Sequence, residues 1–191
     1  MRYRRKIRLN TSGIRLESKD DIQMYVYGGK GRFRMKSNKS NKSYEFKIKR
    51  PAKTILEGYQ RVPNPRYDEN ILFISARLDE TLNFEFIGTF RIEENTYTHS
   101  KKSKVDNTHN VVKGFKWLIK QFENENEFPS EMEFYHMGIC GCCAKSLTTP
   151  DSIKLGIGPV CFEKFGNVRL KKLIALKKKM QKKFKDNNIK L

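Results

Sequence analysis

The residues best suited to chemistry in this chain lie between His136 and Cys161. They fall in the run His136-Met-Gly-Ile-Cys140-Gly-Cys142-Cys143 and in the later Gly156-Ile-Gly-Pro159-Val-Cys161. This one stretch holds all 4 cysteines and one of the 3 histidines. Soft thiolate and imidazole donors at short spacing are the donor set of a four-coordinate zinc ion. A Cys-x-x-Cys pair, here Cys140 and Cys143, brings both sulfurs of one turn to the same ion at about 2.3 Å. Gly141 eases that turn. Gly156 to Pro159 reads as a loop closing onto a helix, with Pro159 in its first turn. Cys161 then sits at the helix start, where the dipole favours a thiolate. The expected ligands of Zn2+ are His136, Cys140, Cys143 and Cys161. Cys142 competes with His136 for the fourth position, and a sulfur adjacent to a ligand usually points away from the metal, which favours His136. No secretory signal precedes the cysteines, and they stay in one local group, so free thiols on a metal are expected rather than disulfides.

Three cysteines and a histidine fill a tetrahedral shell and leave no open position, so the expected zinc is structural and no enzyme is expected. The zinc-deaminase pattern needs a Glu two residues after the His ligand, and residue 138 is Gly. Neither a phosphate-binding glycine loop nor a carboxylate cluster for two metals is present. His99 and His109 flank a basic loop and are the residues a nuclease would use as acid and base. They read as surface histidines in a polar loop.

Charge points to the partner. The chain carries 40 Lys and Arg against 21 Asp and Glu, a net charge of +19. Self-repulsion of this size disfavours a compact state unless a polyanion is at hand. Nucleic acid is the expected partner, with DNA ahead of RNA. An acidic host protein is the alternative. No apolar run approaches about 18 residues, so no membrane span is expected. The charge is concentrated at the ends: Arg2, Arg4, Arg5, Lys6, Arg8 and Arg15 near the start, and a lysine-rich run from Arg169 to Lys185 without an acid. Glu123 to Glu133 is acidic and reads as a solvated loop.

The elements that must position these residues follow from periodicity. Residues 1–17 read as a basic arm, with a short strand at Tyr3 to Leu9. Ser18 with Asp21 resembles a helix start and Gly28-Gly29 a helix stop, which predicts a short helix between them. Arg32 to Lys36 and Tyr44 to Lys49 alternate strictly and predict a hairpin across Ser37 to Ser43. Phe33, Met35, Tyr44, Phe46 and Ile48 face inward. Arg32, Arg34, Lys36, Lys47 and Lys49 face outward, a surface suited to tracking a phosphate backbone. The inward aromatics argue against base stacking there. Pro51 to Asn70 reads as a long connection, and Ile71 to Leu78 as a central strand. A turn at Asp79 to Thr81 leads to a return strand at Asn83 to Ile92. Tyr97 to Thr108 is a polar loop carrying Lys101, Lys102 and Lys104. Val111, Phe115, Leu118, Ile119 and Phe122 mark one face of a helix, with Trp117 a core neighbour. Glu131 to Tyr135 is a strand feeding the cysteines. A last helix, from about Asn167 to Lys185, presents Lys171, Lys172, Lys178 and Lys179.

These residues carry a family resemblance. Gly-x-Gly-Arg-Phe-x-x-Lys-Ser near residue 30, Phe-Ile-Gly-Thr-Phe at 86–90 and Lys-Lys-Ser-Lys at 101–104 precede the helix with Trp117. His136-x-Gly-x-Cys140-x-x-Cys143-x-x-x-Leu-Thr-x-Pro150-x-Ser152-Ile-x-x-Gly-Ile-Gly-Pro-x-Cys161 follows it. Over roughly residues 20–165 this order resembles an uncharacterised family of small phage and plasmid proteins. The cysteine segment is also similar to ones appended to phage and bacterial helicases. The resemblance implies the same His-Cys-Cys-Cys ligand set and a phage or mobile-element origin, and so a place in the host cytoplasm. Cys142 stands where the family usually has a basic residue.

The expected fold is α+β: an antiparallel sheet of about four or five strands, one packed helix and a C-terminal zinc knuckle followed by a basic helix. The expected division is a 1–17 arm, an 18–135 sheet-plus-helix domain, a 136–166 knuckle and a 167–191 basic helix. The expected function is non-catalytic binding of nucleic acid. The alternative is a phage effector that binds an acidic host polymerase or defence factor.

Overall fold

The computed structural model describes residues 13–78, 83–124 and 126–165. The Tyr3–Leu9 strand, the Asp79–Thr81 turn and the helix carrying Lys171, Lys172, Lys178 and Lys179 lie outside the described residues.

Ser18 starts the first helix as its type suggests. Its hydroxyl accepts the Asp21 N–H at 3.1 Å, and Asp20 and Asp21 sit in the first turn, where the helix dipole favours acids. This helix, α1, spans Lys19–Gly28 and ends on Gly29, whose φ of 85° is left-handed. Before it lies the three-residue strand β1 (Ile14–Leu16). After it, β2 (Arg32–Ser37) and β3 (Lys42–Lys49) form the expected hairpin, with Phe33 opposite Phe46 and Met35 opposite Tyr44.

The Pro51–Asn70 connection is more regular than its composition suggests. It contains a separate two-stranded ribbon, β4 (Thr54–Glu57) and β5 (Gln60–Pro63). The chain returns as β6 (Ile71–Ala76) and β7 (Glu85–Arg91), then β8 (Thr96–His99). Helix α2 (Asn110–Glu123) and strand β9 (Met132–His136) follow.

The strands form a seven-stranded antiparallel sheet in the order β1-β9-β2-β3-β6-β7-β8. It is wider than the four or five strands expected. Two short edge strands account for the difference: β1 lies at the end of the basic arm, and β8 inside the polar loop. Such segments have too few residues to show a period.

Both long helices pack on one face of the sheet. From α2, Val111, Val112, Phe115, Leu118, Ile119 and Phe122 are buried, as its spacing predicts. Phe115 meets the rings of Phe46, Phe90 and Tyr97 at 5.4, 6.3 and 5.4 Å. From α1, which the sequence does not mark as a core helix, Tyr25, Val26 and Tyr27 are fully buried. Tyr27 contacts Phe90 and Phe122. The two helices are tied by Lys19, whose ammonium donates to the carbonyls of Asn124 and Asn126, satisfying acceptors beyond the C-terminal end of α2. Trp117 is half-buried against Phe128, as a core neighbour.

Candidate functional site

The cysteine segment grows out of the second strand from one edge of the sheet. Strand β9 lies between β1 and β2, so its end at His136 is fixed on both sides. The chain then turns through Gly138 and Ala144, both left-handed at φ 70° and 63°. The turn closes on itself: Cys140 N–H donates to the Lys145 carbonyl at 2.8 Å and Leu147 N–H to that of Gly138 at 2.9 Å. Short helix α3 (Pro150–Leu155) ends on Gly156, and α4 (Pro159–Phe165) opens with Pro159, as expected. Cys161 is in the first turn of α4.

This folding brings Cys140, Cys143 and Cys161 together, their sulfurs all within 4.8 Å of one another. A tetrahedral ion with bonds of about 2.3 Å holds its sulfurs roughly 3.8 Å apart, so the cluster fits a small metal ion. Cys140 is buried and accepts the Gly158 N–H at 3.4 Å. A hydrogen bond from Cys142, with that of Gly158 added, draws the Cys140 thiol below its ordinary range. Burial and the neighbouring sulfurs push Cys161 up. Three sulfurs this close cannot all carry charge without a cation between them, and a metal ion removes that conflict.

His136, expected as the fourth ligand, lies outside this group of three sulfurs. Its Nε2 is 2.7 Å from the Ile153 carbonyl, and its Nδ1 accepts the Gly138 N–H at 3.2 Å. With both nitrogens engaged, it stands outside the sulfur group as a buried neutral imidazole whose pKa burial lowers. The reason is strand register. His136 pairs with Phe33 and follows Phe134 by two residues, which turns its ring to the core face and against Tyr25 at 5.5 Å. Cys142, the competitor for the fourth position, hydrogen-bonds Cys140 and so lies beside the sulfur group.

The segment is locked to α1 rather than hung from the sheet. Lys30 N–H donates to the Gly141 carbonyl at 2.7 Å and Gly141 N–H to that of Gly156 at 3.0 Å. Gly28 and Gly141 pass so closely that a Cβ on Gly28 would lie 2.5 Å from the Gly141 oxygen. The Tyr25 hydroxyl donates to the Ile139 carbonyl or that of Arg32, at 3.1 and 3.0 Å.

On the opposite face of the sheet, the outward-facing basic residues fall into two groups. Arg32 is paired with Glu45, and Glu45 also holds Arg77 at 2.7 Å. Lys36 and Arg15 approach Glu133, at 4.0 and 3.6 Å. Arg34 lies over the Tyr135 ring at 5.1 Å. Lys47 and Lys49 are exposed and make no ion pair among the described residues. Lys101 and Lys102 are exposed in the loop after β8, and Lys104 pairs with Glu85 at 2.8 Å. His99 is engaged with Tyr97 and the Val105 carbonyl, and His109 caps α2.

Sequence reasoning did not single out the aromatic residues beside those lysines. Phe73, Phe84 and Phe86 line, with Lys47, Lys49 and Ser75, a depression of about 360 Å3 on this face. The signal was available in the alternation of Ile71 to Ala76, which sets Phe73 opposite to Leu72 and Ile74.

The model of a family of unknown function, DUF6011, matches residues 131–166. That range takes in β9, the cysteine turn, α3 and α4. No curated protein and no solved structure matches the chain. No helix of the described residues is long and apolar enough to cross a membrane.

Proposed function

We propose that this chain binds nucleic acid without catalysis, its Lys and Arg side chains neutralising phosphates, and that it carries one structural zinc ion. The observation that carries the reading is the basic face of the sheet. Glu45 and Glu133 are the acids of strands β3 and β9 there, each flanked by two cations, while Lys47 and Lys49 stand exposed beside them. The overall +19 charge supports the same partner.

Cys140, Cys143 and Cys161 would hold the zinc, and Cys142, hydrogen-bonded to Cys140, is the donor nearest at hand for the fourth position. When bound, the ion neutralises the thiolates and ties α4 to the turn after β9. His136 supports that turn from behind by accepting the Gly138 N–H and meeting the Ile153 carbonyl. The chain is read as encoded by a phage or other mobile element and acting in its host's cytoplasm.

The test is fluorescence anisotropy of the nuclease-treated, zinc-loaded protein with single-stranded DNA, duplex DNA and RNA between about 50 and 200 mM salt. Tight binding with a steep salt slope is the expected result. Weak binding to all three that vanishes by about 150 mM overturns it and makes an acidic protein the partner.

A further inference from the structure

The face of the sheet away from α1 and α2 is not simply a charged solvent face. In β6 the alternation that buries Leu72, Ile74 and Ala76 sends Phe73 and Ser75 the other way. In β7 the register with β6 shifts between Ile74 and Ser75, so that Ser75 faces Phe86 while Ile74 faces Gly88. The irregularity lets Ile87 stay in the core and still puts Phe86 on the open face. On β3, Lys47 pairs with Ser75 and Lys49 with Phe73. Two cross-strand rows result: Lys47-Ser75-Phe86 and Lys49-Phe73-Thr89. The small Ser75 forms the floor of the depression between the rings.

The rings are placed for stacking. Phe73 and Phe86 meet edge to face, at 6.1 Å and 81°, and Phe73 is 36% exposed. Phe84 lies under Arg32, Lys47 and Arg77, at 4.9, 5.9 and 5.2 Å from its centroid, so it is already covered by cations. Phe73, the one of the three rings among the exposed large hydrophobics, has a face to offer, with Phe86 beside it. A phenyl ring has no donor or acceptor with which to read a base edge, but it can stack on any base. In a duplex the base faces are hidden, and only edges and phosphates are open to a protein. The two rows are two residues apart along their strands, about 7 Å. That is roughly twice the 3.4 Å rise of a duplex strand, and suits nucleotides drawn out of their stack.

We propose that this open face binds single-stranded nucleic acid, with bases stacked on Phe73 and Phe86 and phosphates held by Lys47 and Lys49. The proposal rests on the nucleic-acid reading above and narrows it to one ligand form and one surface. The sugar is not selected by these residues, so single-stranded DNA and RNA are both ligands of the face.

The test is anisotropy of the full zinc-loaded chain with a thymidine oligonucleotide of roughly 12 residues, its uridine counterpart, a duplex of that length and an abasic strand of that length. The expected result is about tenfold or stronger preference for either base-bearing strand over the abasic strand and the duplex. Phe73→Ala should weaken single-strand binding about fivefold or more and leave duplex binding and the salt slope unchanged. Lys47→Ala with Lys49→Ala should lower the single-strand salt slope by about 1.4. Equal affinity for abasic and base-bearing strands, with Phe73→Ala silent, overturns stacking on this face and leaves the wider nucleic-acid reading standing. No binding to any of the four removes both. The abasic comparison uses the unaltered protein, so the result does not depend on a variant folding.

Discussion

The cysteine turn and the open sheet face are both candidate sites, yet they are built in opposite ways. The turn draws its donors from one short run of chain, and its hydrogen bonds are mostly local. Its chemistry is visible because a thiolate cluster is recognisable from residue type and spacing alone. The open face takes one or two residues from each of several strands, and no pair of neighbours in sequence identifies it. It exists only once β3, β6 and β7 are in register. The turn is also partly enclosed, with Cys140 and His136 buried and Cys143 and Cys161 half-buried, whereas the face keeps its lysines in water. Disturbing the first should therefore cost stability, and disturbing the second should cost binding.

The largest expected effect is loss of the metal. Structural zinc in small sites contributes about 10 kcal/mol or more of folding free energy. Chelation, or Cys140→Ser, should therefore lower the melting temperature further than any surface variant and release the 136–165 region to proteolysis. A melting curve and far-UV spectrum unmoved by chelator would break the contrast at its root. Next comes the shared core, where Phe115→Ala should cost about 3–5 kcal/mol in denaturant unfolding, because Phe115 joins three rings from the sheet.

A smaller loss, about 1–3 kcal/mol, is expected from Gly28→Ala, whose new methyl would press on the Gly141 carbonyl. The same unfolding assay would show whether the turn and α1 are joined as tightly as their backbones suggest. His136→Asn sharpens the ligand assignment. It should destabilise the fold but keep one zinc per chain by metal analysis, whereas Cys142→Ser should weaken zinc retention against a competing chelator. Loss of zinc from the histidine variant alone would restore His136 as the ligand. The smallest stability effect belongs to the open face: Lys47→Ala should change unfolding by less than about 0.5 kcal/mol while reducing the salt dependence of binding.

Much of the scaffold was readable beforehand. Ser18, the β2–β3 alternation and the Val111-to-Phe122 stripe each encode their element through neighbours a few residues away, and each forms as expected. The misses share one cause. Strand β8, the β4–β5 ribbon and β1 are short, and their pairing is decided by partners distant in sequence rather than by their own pattern. The core role of α1 was missed because its buried face includes Lys19, Gln23 and two tyrosines, and Lys19 and Tyr25 find partners for their polar atoms only in the folded chain.

The sequence by itself determined that this protein is strongly basic, that it mixes helix with antiparallel strands, and that its cysteines converge within one segment. These properties follow from composition, periodicity and local spacing. Tertiary structure decided which donors meet. Strand register turned His136 into the core and away from the sulfurs, because alternate residues of a strand face opposite sides and Phe134 had already set the inner one. It also put Phe73 and Phe86 beside Lys47 and Lys49, since residues far apart along the chain become neighbours only through the hydrogen-bonded ladder of the sheet.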